Sequence, residues 1–248
     1  MIISIVNHSN GQIADEKVLR AIRAINRQIT QDFEPYWSLG ATLRLEGRST
    51  AKRTPQAADM RGEAIIYLCV AAKIADALGY HEKHNRGIPY GFVFSEISEL
   101  LDESWSATLS HEALELIADP EVNLLAMGPH PRHPRRTVFH WYEMCDAVQD
   151  ETYEIDGVQV SNFVLPLYFT GTEERGGRND FLNRRHDGRT LRSFSVNPGG
   201  YIGFFDHKTG KHHTYEIAGD KRAAQRKRIK FRAKAARRGL RYQHFRAK

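Results

Sequence analysis

The stretch Ala64 to Val70, AIIYLCV, is apolar at both of the alternating positions of an extended chain. It is the strongest signal in the sequence for a strand buried on both faces, and such a strand needs cover on either side. Ile2 to Val6 is a second apolar run, bounded by Asn7, Ser9, Asn10 and Gly11, and reads as the first strand. Asp15 suits the N-cap of a helix reaching about Asp32, with Val18, Ile22, Ile25 and Ile29 at helical spacing. Pro35 and Gly40 close that helix, and Ala41 to Leu45 alternates as a short strand. Arg48 to Gly62 is polar, contains Pro55 and reads as a loop, and Ala71 to Leu78 suits a short helical turn. Gly79 to Pro89 reads as a polar loop holding His81 and His84, both expected at the surface. Tyr90 to Phe94 is a further strand, and Pro89 and Gly91 suit it to a sheet edge. Ser95 opens helical sequence that breaks near Asp102 to Ser104.

The helix after that break carries the chemistry. In SWSATLSHEALELIADP, Ser104 to Pro120, helical spacing sets His111, Glu115 and Asp119 along one stripe with Glu112 beside them. Ser104 and Thr108 join that polar arc, and Trp105, Leu109, Ala113, Leu116 and Ile117 fall opposite, as a core face. Two side chains at i and i+4 can hold one metal ion, and a Glu next to the first can take a proton from a metal-bound water. A solvated helix face with an ordinary His–Glu pair shows the same pattern.

The order strand, helix, strand, strand, strand, helix with His-Glu resembles the N-terminal half of the zincin metallopeptidases, especially the metzincin branch. The resemblance covers about residues 1 to 120 and implies an α+β fold, a mixed sheet beside an active-site helix. It implies that the strand before that helix is an edge strand pairing with an extended peptide, so that Tyr90, Phe92 and Phe94 would touch substrate. It implies His111 as first ligand and Glu112 as general base. The chain departs from the family at the second ligand, where His-Glu-x-x-Glu places Glu115 instead of His, and Asp119-Pro120 ends the helix before the metzincin continuation.

A third ligand is expected from His140 to Phe169, where Glu143, Asp146 and Asp150 fall within eight residues. Glu143 is the first choice and Asp146 the second; the thermolysin-like zincins also use a later Glu. A solvated strand edge is the alternative for both residues. Gly128 to Arg136 reads as a Pro/His/Arg-rich loop, and its His130 and His133 as surface residues. Asp156-Gly157 marks a hairpin. Gly171 to Arg192 is charged and aperiodic. Tyr201 to Phe205 and His212 to Ile217 form a second hairpin, in which tandem His212 and His213 point to opposite faces. The domains expected are therefore a zincin-like body over 1–170, a loop and β-hairpin extension over 171–219, and a basic tail over 220–248, helical or disordered.

With one His and two carboxylates as ligands, a divalent ion is a weaker Lewis acid than with two His, and preference shifts from zinc toward harder ions such as Mn²⁺, Mg²⁺ or Ca²⁺. Zinc remains the first expectation for the cofactor. The function expected is a metal-dependent, peptidase-like hydrolase acting on a peptide or protein. The alternative is a non-catalytic nucleic-acid-binding or assembly protein on the same scaffold. The net charge of +6 conceals the reason for that alternative. From Asp220 to Lys248 there are thirteen Lys or Arg and one acidic residue, which leaves 23 basic and 29 acidic residues for the rest. Arg226, Lys227, Arg228, Lys230, Arg232, Arg237 and Arg238, with Phe231, Tyr242 and Phe245 interleaved, suit phosphates and stacked bases. A solubilising tail, or an arm docked on an acidic surface, has the same composition. No apolar run is long enough to span a bilayer, the start lacks a signal-peptide pattern, and the two cysteines, Cys69 and Cys145, make no scaffold. A reducing cytoplasm is expected.

Overall fold

The computed structural model describes residues 1–48, 62–70, 79–83, 88–100, 103–171 and 178–217. The chain is mixed α/β, with a mainly parallel sheet, an antiparallel sheet and a long buried helix. The first sheet has the order β2-β1-β3-β5-β4. Its strands are β1 (Ile2–His8), β2 (Thr42–Gly47), β3 (Ala64–Cys69), β4 (Gly79–Lys83) and β5 (Pro89–Phe94). β3 is central and parallel to both neighbours, as its apolar sequence requires. Ala64, Ile65, Ile66 and Leu68 are buried, while Tyr67 and Cys69 are partly covered.

The edge position differs from expectation. β5, which carries Tyr90, Phe92 and Phe94, is flanked by β3 on one side and antiparallel β4 on the other. The polar stretch expected as a loop is thus the outer strand β4. Its five residues hold too few apolar side chains to signal a strand; pairing with β5 makes it one. Phe94 is buried, and Phe92 stacks between Tyr67 and Phe94, with Tyr90 edge-on to it. These three aromatics pack within and beside the sheet, and an extended peptide cannot pair with β5.

Helix α1 (Asp15–Gln28) begins one residue earlier than a cap at Asp15 would place it. Ala14 is the N-cap, and Asp15 lies in the first turn, where Asn7 Nδ2 donates to it at 2.7 Å. A π-helical turn (Ile29–Phe33) and short α2 (Glu34–Trp37) follow, ended by Ser38 in the left-handed conformation. α3 (Ser95–Leu100) and α4 (Trp105–Ala118) are separate helices, as the expected break requires. Ser104 caps α4, accepting from Ser106 N, and Pro120 stops it, because the residue before proline avoids the helical region.

The expected Gly128–Arg136 loop is instead part of a hairpin, β6 (Leu125–His130) and β7 (His133–Trp141). It joins β10 (Tyr201–Asp206) and β11 (Lys211–Glu216) in a sheet of order β11-β10-β7-β6. Prolines 129, 131 and 134 hide this hairpin in the sequence; they sit at its tip and beside it. His212 stacks on Trp141, and His213 on Phe204, on opposite faces. Between β7 and β10, β8 (Thr152–Ile155) and β9 (Val158–Ser161) form the hairpin signalled by Asp156-Gly157, both at positive φ. Arg20 and Arg27 of α1 bind Asp156 at its tip.

A buried polar knot ties α1, α4 and β9 together. Gln28 Nε2 donates to Ser161 O at 2.8 Å, Ser110 Oγ to Gln28 Oε1 at 2.6 Å, and Ser161 N to Ser110 Oγ at 3.1 Å. Ser110 directly precedes His111, so this knot fixes the rotation of α4 about its axis. Among the described residues no helix is long and apolar enough to cross a membrane.

Candidate metal centre

The polar stripe of α4 faces protein. Glu112 and Glu115 are buried, and the His111 side chain is only 12% exposed. Leu109, Ala113, Leu116 and Ile117 are buried on the other arc, so α4 is enclosed on nearly all sides. Full burial of one such apolar side chain stabilises by roughly 1.5–3 kcal/mol. An uncompensated buried carboxylate costs several kcal/mol, so the acidic arc requires partners.

His111 finds two. Its Nε2 lies 3.2 Å from Glu115 Oε1 and 3.4 Å from Asp146 Oδ1. Asp146 opens a 3-10 turn (Asp146–Val148) after β7, and it is buried. The same turn region fixes Glu115, because Cys145 N donates to Glu115 Oε1 at 3.2 Å. A loop from farther along clamps the turn. Asn197 N donates to Ala147 O at 3.0 Å, Gln149 Nε2 to Gly199 O at 2.8 Å, and Gly200 sits where a Cβ would collide with Ala147 O. His111, Glu115 and Asp146 thereby each offer a ligand atom within 4.8 Å of the others. The second-choice third ligand stands in this triad.

The other candidate, Glu143, belongs to a second group. It gathers with Glu115 and His81, again with ligand atoms within 4.8 Å of one another. His81, expected at the surface, is buried. β4 carries it inward, with Nδ1 3.0 Å from Glu112 Oε2 and 3.8 Å from Glu115 Oε2, and Nε2 3.8 Å from Glu143 Oε2. No motif announced His81. A lone His between Tyr80 and Glu82 gains its meaning only when β4 is placed beside α4.

The electrostatics follow from this crowding. Burial alone would lower the pKa of His111, but Glu115, the hydrogen bonds with Asp146 and Glu115, and the charge of Glu112 raise it to about 10. His81 is likewise raised: burial opposes, and its Glu112 hydrogen bond with the charges of Glu143, Glu112 and Glu115 prevails. Both imidazoles thus stand where positive charge is wanted. Burial, then Glu115 and Asp146, push the Cys145 thiol well above its usual range, so it is an inert core thiol. Asp119, last on the stripe, turns back on the chain and accepts from Asn123 N at 3.1 Å and Leu124 N at 2.9 Å. It caps the turn after α4 and is not grouped with either triad.

Imidazole nitrogens and carboxylate oxygens, buried and converging, are donors suited to a divalent cation. Glu112 lies outside both triads, hydrogen-bonded to His81. Neither Cys69 nor Cys145 is in a disulfide. His130 and His133 contact each other, and His140 Nε2 lies 2.9 Å from Pro129 O; none of the three joins the centre. His84 and the tail residues Arg226, Lys227, Arg228, Lys230, Arg232, Arg237 and Arg238 lie outside the described residues. Compared with family models, curated proteins and solved structures, the chain matches none.

Proposed function

We propose that this centre binds a divalent metal and that the protein is a metal-dependent hydrolase, peptidase-like in its chemistry and zincin-like in plan. The observation that carries the reading is the convergence of His111, Glu115 and Asp146, with Glu112 buried beside them and outside the ligand groups. A bound divalent ion supplies a Lewis acid that polarises a carbonyl and lowers the pKa of water. Glu112 is the base. Its Oε2 is engaged by His81 Nδ1, and its Oε1 accepts the proton of the attacking water. The water oxygen bonds to the carbonyl carbon, the carbon–nitrogen bond breaks, and the proton passes from Glu112 to the departing amine. Backbone groups on the outer side of β4 offer an extended peptide a strand to join, one element away from Glu112.

The test is a pair of variants assayed on a mixture of unfolded proteins. Glu112→Gln is expected to keep the metal and lose hydrolysis, since it removes the base and little volume. His111→Ala is expected to lose the ion held with Glu115 and Asp146, and hydrolysis with it. A metal-loaded wild type that leaves the mixture intact, or a Glu112→Gln variant that cleaves as well as wild type, would overturn the hydrolase reading.

The basic tail supports an added activity. Thirteen basic residues against one acidic residue from 220 to 248 suit non-specific binding to nucleic-acid phosphates, which would bring the acidic body to a polyanion.

A further inference from the structure

We infer that the centre is built for two divalent ions bridged by Glu115. The inference deepens the metal-site reading above and rests on it. The two triads share a single member, Glu115. Its two oxygens serve different sides: Oε1 lies 3.2 Å from His111 Nε2, and Oε2 lies 3.8 Å from His81 Nδ1. Each side then has one imidazole and one further carboxylate, His111 with Asp146 and His81 with Glu143. A carboxylate shared by two such sets, with one oxygen turned toward each imidazole ring, is placed to bridge.

His81 supplies a second, independent observation. The residue is buried, and its Nε2 makes no hydrogen bond while facing Glu143 Oε2 at 3.8 Å. Its other nitrogen is engaged by Glu112 at 3.0 Å. An ionised carboxylate can only accept, so Nδ1 carries a proton toward Glu112, and an incoming cation displaces the Nε2 proton and takes that lone pair. A carboxylate behind one imidazole nitrogen is the usual way to aim the other at a metal. Glu112 therefore has two duties, orienting His81 through Oε2 and accepting a proton at Oε1.

The carboxylates of Glu112, Glu115, Glu143 and Asp146 crowd round two imidazoles, and cations bound there relieve the cost of buried negative charge. Two imidazoles with three carboxylates form a donor set of the same kind as carboxylate di-iron and di-manganese centres, which use two imidazoles and four carboxylates. Oxygen-rich coordination favours Mn²⁺ or Fe²⁺ over zinc.

Titration of the metal-free full-length chain with Mn²⁺, followed by elemental analysis and electron paramagnetic resonance, tests this. Wild type is expected to bind two Mn²⁺ per chain with a spin-coupled spectrum. His81→Ala and His111→Ala are each expected to bind one, with the uncoupled six-line signal. Wild type binding one uncoupled Mn²⁺, retained in His81→Ala, would overturn the second site and leave the first standing. No bound Mn²⁺ in wild type would overturn both. Should a variant fail to fold, the wild-type stoichiometry and spectrum decide alone.

Discussion

Among the described residues two buried acidic clusters differ in character. In the first, around Glu151, amide and backbone N–H donors predominate. Glu151 accepts from Asn162 at 2.9 Å and Asn197 at 2.6 Å and meets His186 at 2.8 Å, while Asp180 accepts from Asn162 at 2.9 Å and from Asn183 N at 2.7 Å. Side-chain amides, a backbone N–H and the His186 imidazole engage these carboxylates and stitch the 178–200 segment to the hairpin β8–β9. In the second, around Glu115, carboxylates and imidazoles converge, and Cys145 N also donates to Glu115. Amides are good hydrogen-bond donors and poor metal ligands; imidazoles and carboxylates are ligands. Partner type, more than burial or net acidity, separates a cluster that holds a chain together from one suited to an ion.

The largest expected effect breaks the comparison through stability. Saturation with a divalent ion at about 100 times its Kd stabilises a protein by about 2.7 kcal/mol. For a chain of this size that raises Tm by roughly 5–10 °C. Glu115→Ala should abolish the metal-dependent rise. Glu151→Ala should lower Tm equally with and without metal, since leaving its amide partners unsatisfied costs about 1–3 kcal/mol or more. A metal-dependent rise that survives Glu115→Ala, or vanishes in Glu151→Ala, would erase the distinction.

The next effect is on pH dependence, and His111 and His140, both outside the Glu151 cluster, run in opposite directions. In the metal-free protein His111 is raised to about 10, so its contribution is complete below its unfolded value near 6.5 and is lost as pH rises through 10. His140, lowered to about 4 chiefly by burial, contributes stability above 6.5 that is lost as pH falls toward 4. Chemical denaturation of the metal-free protein should show losses at both ends, and His111→Gln should weaken the alkaline one, leaving the acid one and the share of His81, whose pKa is likewise raised. An unchanged alkaline limb in that variant would remove His111 as its source.

The tail should have the smallest effect on the body. Deleting residues 220–248 is expected to leave melting and metal content unchanged and to remove most binding to DNA or RNA at 50 mM salt. Electrophoretic mobility shifts would check it; undiminished binding by the truncated protein would place the interface on the body.

Legibility in the sequence was uneven for physical reasons. β3 was visible because both faces of AIIYLCV are apolar, and the β8–β9 hairpin because Asp-Gly tolerates positive φ at both turn positions. The α4 stripe was visible because helical periodicity fixes which residues share a direction. Its environment was not, since the same stripe serves a solvated face or an enclosed one. β4 was missed because an outer strand of five residues takes its conformation from its neighbour. That one omission displaced the edge from β4 to β5 and hid His81. Asp146 and Glu143 were both foreseen as candidates, but nothing local could reveal that they serve different triads; that depends on the clamp of Asn197 and Gly200 on Ala147.

The central claim is that the α4 cluster is a metal centre. Its most direct test is elemental analysis of full-length protein purified without a polyhistidine tag and dialysed against metal-free buffer after loading. Wild type is predicted to retain a divalent ion at stoichiometric level or above, and Glu115→Gln to fall to background while remaining folded. Background metal in wild type, or equal retention in the two proteins, would contradict the account.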